Sequence, residues 1–548
     1  MQPVRKDKQR SDLHSFQATH GACDSARADT PALKGGIMKS VQLICIAALA
    51  LAGLVFSVAM AAERPQEGFG QFATQETFQN NANSISSGAV VKSLGSGPTR
   101  TVSGHRIGHY KDGPVPLDLS IRVIAAYVPN GTGGYDEIVG TGTSAGTFTI
   151  PNVPSGFYLL RLGQQFLWTK KTTINADYYQ DFRSTAAQPV NDTTLTFDLA
   201  NLNAWQDTDI FEISGRTPAF ALFPGVAGET TFTGTFPYTT YLNDTTQGDK
   251  PYLLQLVTQP AGGYDFTAAA RYYAPRNFVQ VDGADTSVSG TLKTINQNQT
   301  FRANINGADL AAQALAANPG AVLVDTVLAL DAYPGSFARG QVVSTPDLVA
   351  YDLGTGMPPL TVNMDAGDLF YGNPFPSSWP LFMIYQYSAQ TSYRAPGAWN
   401  STSLATGAYG YTTALPTPTS PIQPLVGTVS RPSIEGSYFF ANQTGIGLTP
   451  TLSWSPPKVG TADAYAIFVY QLVNNAGNTE YGQIARLQTQ RTSITIPPGL
   501  LSVGPNTGQG YVFKIQTIYR PGVDVAAKPY VSGPTNASAD VISGMMQP

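Results

Sequence analysis

Hydrophobic and polar positions first fall into a clear pattern in a largely apolar run, residues 41–58, set between Lys39 and the small residues Ala59, Met60 and Ala61. Residues 62–100 show little periodicity and are rich in Gln, Asn, Ser and Gly, which reads as a flexible linker. From about Thr101 the pattern changes. Leu119, Ile121, Val123, Ala125 and Tyr127 occupy alternate positions, the period-two mark of a strand with one buried face. A PNGTGG turn follows, then Phe148 and Ile150 alternate toward Pro151, and Ser155-Gly156 turns into a strand at 157–162. Residues 196–430 alternate short apolar runs with turns, most clearly at 252–257, 321–330 and 381–387. One helix is predicted, from Ala308 to Ala317, stopped by Asn318-Pro319-Gly320 and read as a crossover helix capping a sandwich edge. Near the C-terminus Tyr465, Ile467 and Val469 alternate, as do Tyr511, Phe513 and Ile515. The sequence shows no 20–50-residue repeat, which disfavours a propeller or solenoid. The pattern predicts an all-β chain of tandem β-sandwich modules with a larger β-rich middle region containing one short helix.

Composition sharpens this picture. At 548 residues the chain exceeds a single core, so roughly three or four domains are expected. Charged residues make up 12%, against roughly 25% in an ordinary soluble domain. The 54 glycines and 40 prolines supply turns between strands built on 27 tyrosines and 26 phenylalanines. A 42% hydrophobic content is enough to bury real cores, which argues against disorder.

Two stretches resemble known families. The order strand, hairpin, IPNVPSGFY and strand over about 115–170 resembles the carboxypeptidase regulatory-like (transthyretin-like) sandwich. That resemblance implies a small accessory module, usually non-catalytic, in exported multidomain proteins. Over about 432–542, TLSWSPP with Trp454, the alternating Tyr465 strand, TSITIPPGLL and the Tyr511 strand resemble a fibronectin type III module. Trp454 is then a core residue rather than a ligand platform. The expected division is a leader at 1–61, a linker at 62–100, a regulatory-like sandwich at 101–195, a β-rich middle of one or two units at 196–430, and a type III-like module at 431–548.

The run at 38–61 has the parts of a signal peptide, with cleavage expected after Ala61; the competing reading is a retained membrane anchor. Cleavage removes 7 of 32 Lys+Arg and 4 of 36 Asp+Glu, leaving 25 against 32 and a net charge near −7. No basic run survives, which argues against nucleic acid or an anionic membrane as partner. Cys23 and Cys45 are lost as well, so neither a disulfide nor a thiolate nucleophile is expected in the mature chain. Export places the product in the periplasm, at the cell surface or outside, with no transmembrane span left.

Candidate chemistry is sparse. His105 and His109 have i, i+4 spacing, but Gly104 and Gly108 disfavour a helix, and along one strand the rings would stand about 13 Å apart, too far for one metal ion. Residues 142–146 spell G-x-S-x-G, yet strands on both sides and the lack of a later histidine make Ser144 a hairpin residue. Asp207 with Asp209, and Asp365 with Asp368, have carboxylate pairs in Gly-rich turns that a glycosidase could use at about 5–10 Å separation. Calcium at such loop carboxylates has no supporting motif, and no cofactor is implied. The best binding candidates are the rings of Tyr371, Phe375 and Trp379 in FYGNPFPSSWP, with Trp399 just after, since flat rings on sandwich loops stack on sugars or partner side chains. The favoured expectation is an exported, non-enzymatic binding or structural protein with a protein or glycan partner. Its rival is a secreted carbohydrate-directed hydrolase with carboxylates in 196–430.

Overall fold

A computed structural model describes residues 98–548 apart from Thr132, Asp181, Pro218 and residues 336–344, 352–359 and 504–509. The expected leader and nearly all of the expected linker lie outside the described residues. The described chain is all-β in character, 54% of it in strands, with one α-helix. No described helix is long and apolar enough to cross a membrane.

The first part comprises β1 (Thr99–His105), β2 (Ile107–Tyr110), β3 (Gly113–Pro116), β4 (Ile124–Pro129), β5 (Tyr135–Val139), β6 (Thr141–Gly142), β7 (Thr147–Pro154), β8 (Tyr158–Leu162), β9 (Gln165–Thr169), β10 (Thr173–Asn175) and β11 (Tyr178–Tyr179). One sheet runs β10-β1-β7-β6, and facing it are β5-β4-β8-β9. Between them lie Val102, Phe148, Ile150, Tyr158 and Leu160. β7 shows the expected alternation: Phe148 and Ile150 are buried while Thr147 and Thr149 face out. The strand after Leu119 departs from expectation. Ile121 and Val123 are exposed, and β4 starts only at Ile124, from which four successive residues are buried. Both of its faces are covered: Ile124 and Ala126 look into this core, Ala125 and Tyr127 into another.

The middle comprises β12 (Thr194–Ala200), β13 (Ile210–Arg216), β14 (Ala221–Phe223), β15 (Thr231–Pro237), β16 (Lys250–Ala261), β17 (Tyr264–Tyr273), β18 (Asp285–Thr291), β19 (Lys293–Thr294), β20 (Gln299–Asn306), α1 (Gly307–Leu315), β21 (Val322–Ala332), β22 (Asp347–Tyr351), β23 (Asn363–Tyr371), β24 (Leu381–Tyr393) and β25 (Thr402–Thr412). It holds two cores. In one, Phe197, Phe211 and Phe232 gather, the last two stacked at 4.2 Å. In the other, Leu310, Ala311 and Ala314 of α1 pack with Leu328, Leu330 and Tyr387. The first turn of α1 is capped from outside, Ala308 N–H donating to Asn363 Oδ1 at 3.2 Å.

The last part comprises β26 (Ser430–Ile434), β27 (Ser437–Tyr438), β28 (Gln443–Thr444), β29 (Thr451–Ser455), β30 (Ala464–Asn475), β31 (Asn478–Thr489), β32 (Ser493–Thr495), β33 (Gly510–Tyr519), β34 (Thr535–Ile542) and β35 (Met546–Gln547). One sheet is β27-β26-β29-β32, and opposite it run β31-β30-β33-β34. Trp454 is buried against Tyr465, centroids 5.2 Å apart. On β30 the Tyr465, Ile467 and Val469 face fills the sandwich, while Ala466, Phe468 and Tyr470 are buried on the other side with Leu404 and Tyr393.

These parts are joined edge to edge. β25 pairs antiparallel with β34, Ala408 opposite Ala539 and Gly410 opposite Ala537. β9 pairs parallel with β31, Phe166 opposite Leu487. Strands from all three parts therefore belong to one 19-stranded sheet. Side chains reinforce both seams. Asn318 Nδ2, just past α1, donates to the carbonyl of Ile542 at 2.9 Å. Tyr530 Oη donates to Gln165 Oε1 at 3.0 Å, and the guanidinium groups of Arg106 and Arg486 lie 5.5 and 5.6 Å from the centre of its ring.

β25, the middle strand of the first seam, has no room for a side chain at Gly410 because of its other neighbour, β24. The Tyr385 ring occupies the space that a Cβ at Gly410 would need, and its Oη accepts the Leu425 N–H at 3.1 Å. Gly410→Val is expected to displace that ring and cost about 1–3 kcal/mol. Calorimetry of the full chain should then show the last part unfolding separately, where the native protein unfolds across the seam together.

Candidate functional site

Three of the four candidate rings are buried in the core. Tyr371 ends β23 and is buried. Phe375 and Trp379 stack at 5.3 Å, and both meet the Tyr252 ring edge-on, at 4.8 and 5.7 Å. Both are buried members of the core around α1.

Trp399 stands apart, with 71% of its surface exposed. It is nonetheless fixed. The β30–β31 connection turns at Ala476 and Gly477, both at positive φ (48° and 89°), the two-residue geometry that suits the strands' right-handed twist. The Gly477 carbonyl accepts the N–H groups of both Trp399 (2.9 Å) and Asn400 (3.0 Å). The indole rests directly on Gly477, where a methyl group would fall inside the ring. Amides surround the turn: Asn400 Nδ2 donates to Asn478 Oδ1 at 2.8 Å, Asn474 Oδ1 accepts the Gly477 N–H at 2.8 Å, and Asn475 Nδ2 donates to Glu480 Oε1 at 2.6 Å. Thr479 Oγ1 ties the two segments, donating to the Asn400 carbonyl at 2.7 Å and accepting from Ala395 N–H at 2.9 Å. The result is a rigid, exposed ring beside groups that both donate and accept hydrogen bonds.

The histidines correct the strand-spacing argument. β1 ends at His105 and β2 starts at Ile107, so the two residues do not share one straight strand. Their rings converge on Asp177, His105 Nδ1 lying 2.8 Å from Oδ1 and His109 Nε2 2.8 Å from Oδ2. Asp177 is buried and takes a third bond from the Ile107 N–H at 2.8 Å, while the imidazoles are about one-third exposed. His109 also stacks on Tyr179 at 4.6 Å. A carboxylate holding an imidazole by one nitrogen fixes its orientation and tautomer. Here it fastens the β1–β2 corner to the segment between β10 and β11. Among the described residues no group of three or more His, Cys, Asp or Glu is arranged to hold a metal ion. Asp177 lies about 70 residues from either histidine, with no local pattern to flag it.

Three of the four candidate carboxylates are held by neighbours. Asp365 and Asp368 share Arg302, at 2.7 and 3.4 Å, and the Arg302 hydrogen bond holds the Asp365 carboxyl below its usual range. Asp207 is exposed, whereas Asp209 is buried and accepts from Gln206 N–H, Gln255 Nε2 and Thr258 N–H. Burial pushes the Asp209 carboxyl up. Thr143 and Thr147 close a hairpin turn around Ser144, and β6 pairs antiparallel with β7 beside it.

Three substitutions separate these roles. Phe375→Ala is expected to cost about 3–5 kcal/mol, as for a core ring. Trp399→Ala should stay within about 0.5 kcal/mol of the native protein. Asp177→Asn gives the histidines an acceptor with only one oxygen and should cost about 1–3 kcal/mol. Chemical denaturation followed by circular dichroism checks all three. No family model matches this chain, and comparison with curated proteins finds no match.

Proposed function

We propose that this is an exported, non-enzymatic modular β-protein whose sandwiches form a scaffold that presents binding loops in the periplasm, at the cell surface or outside the cell. The edge-to-edge joining of the sheets carries this reading, because ladder pairing at both seams keeps loops from different parts at fixed separations. The regulatory-like assignment of the first part is supported by its facing sheets β10-β1-β7-β6 and β5-β4-β8-β9. The type III assignment is supported by β26, β29 and β32 facing β31-β30-β33-β34. Export rests on the signal-like segment at 38–61.

Two measurements test the proposal. Protein recovered from the cell envelope or medium should begin at Ala62; a membrane-bound form retaining residues 38–61 would make the segment an anchor. A polysaccharide panel incubated with residues 62–548 should yield complexes without new reducing ends. Turnover of any polymer would replace the scaffold with a hydrolase.

A further inference from the structure

Resting on the binding reading, the geometry points to a site for a neutral oligosaccharide formed by Trp399 and the amides of the β30–β31 turn. Three observations converge on it. The main chain of Trp399 and Asn400 is tied to the Gly477 carbonyl and the indole lies against that glycine, so little ordering cost remains when a ligand stacks on it. Its surroundings are polar rather than apolar: Asn400, Asn474, Asn475 and Asn478 are all exposed. An apolar protein hot spot calls instead for a desolvated rim around the ring. The charge is also wrong for a polyanion. Residues 396–402 carry no charge, and across 474–480 Glu480 is the single charged side chain and is acidic. A nucleic-acid strand stacked on the ring would need cations for its phosphates.

A pyranose fits what is left. One face of the sugar presents C–H groups to the indole, and its equatorial hydroxyls both donate and accept. Asn amides match this by offering an NH₂ and a carbonyl on one planar group. Asn478 and Asn400, already hydrogen-bonded to each other, are placed to exchange that bond for hydroxyl contacts. A single stacking ring implies weak affinity, in the region of millimolar for one chain of sugars. Several protein copies on a polymer would strengthen it.

The chain carries its own reporter. Of five tryptophans, Trp168, Trp205, Trp379 and Trp454 are buried and Trp399 is exposed, so a ligand-induced change in exposed tryptophan emission reports this position. Residues 62–548 would be titrated with cellohexaose, xylohexaose, maltohexaose and chitohexaose up to about 10 mM, a range suited to millimolar affinity. At least one should shift the emission to the blue and protect Trp399 from acrylamide quenching. By calorimetry, Trp399→Ala should weaken that sugar about tenfold or more, Trp399→Phe should restore part of the loss, and Asn478→Ala should weaken it several-fold, all with unchanged circular dichroism. The proposal is overturned if no saccharide moves the emission, or if sugar affinity is unchanged in Trp399→Ala. Sugar binding that survives in Trp399→Ala would leave the binding reading standing and remove this site alone, whereas release of reducing ends would remove the binding reading itself.

Discussion

The architecture depends on what happens to the edges of its sheets. A strand edge left open carries a row of unpaired N–H and C=O groups, which cost free energy when buried and invite aggregation when exposed. Here four such edges satisfy one another in pairs, β25 with β34 and β9 with β31. Once those ladders form, the faces of neighbouring sheets must be covered on both sides of the seam, and residues from distant parts share cores. Tyr127 and Phe166 thus pack with Ile467 and Phe513, and Tyr393 with Phe468.

A charge-poor chain nonetheless buries several cations in its last part. Lys514 is fully buried, 3.7 Å from Asp540 and 4.9 Å from the centre of the Phe468 ring. Arg486 is buried over Phe468 and Tyr530, and burial lowers its affinity for the proton. Arg520 is also buried; burial brings its pKa down to about 10, and its N–H groups reach Asn536 and the Pro529 carbonyl. A guanidinium tolerates such sites better than an ammonium, because it is weakly hydrated and stacks on rings. Removing any of these aromatic partners would leave a charge buried with less compensation, so the seams depend on their rings as much as on their ladders.

The turn that carries Trp399 is supported from below. A ring seated on a two-residue turn keeps its orientation only if the two strands beneath it are held, and β30 and β31 are each paired on both sides. The exposure of Trp399 is therefore a consequence of its support. Trp399 sits on the turn at Gly477, whereas Phe375 and Trp379 lie in a loop folded back over Tyr252.

The sequence by itself determined what depends on near neighbours. Alternation at Phe148 and Ile150 marked a strand and its buried face, the Asn-Gly before and Asn-Pro-Gly after the Ala-rich run bracketed a helix found at Gly307–Leu315, and Trp454 read as core. Those signals are local because backbone geometry repeats every two or every 3.6 residues. Tertiary structure decided the rest. Both faces of β4 are covered because β9 meets β31, hundreds of residues away, a pairing that no short-range period encodes. Which aromatic loop faces outward depended on the position of Tyr252, and the meeting of His105 and His109 depended on Asp177 arriving from the segment between β10 and β11. Local pattern specifies which side of a strand seeks an apolar neighbour; chain topology and register specify which neighbour it finds.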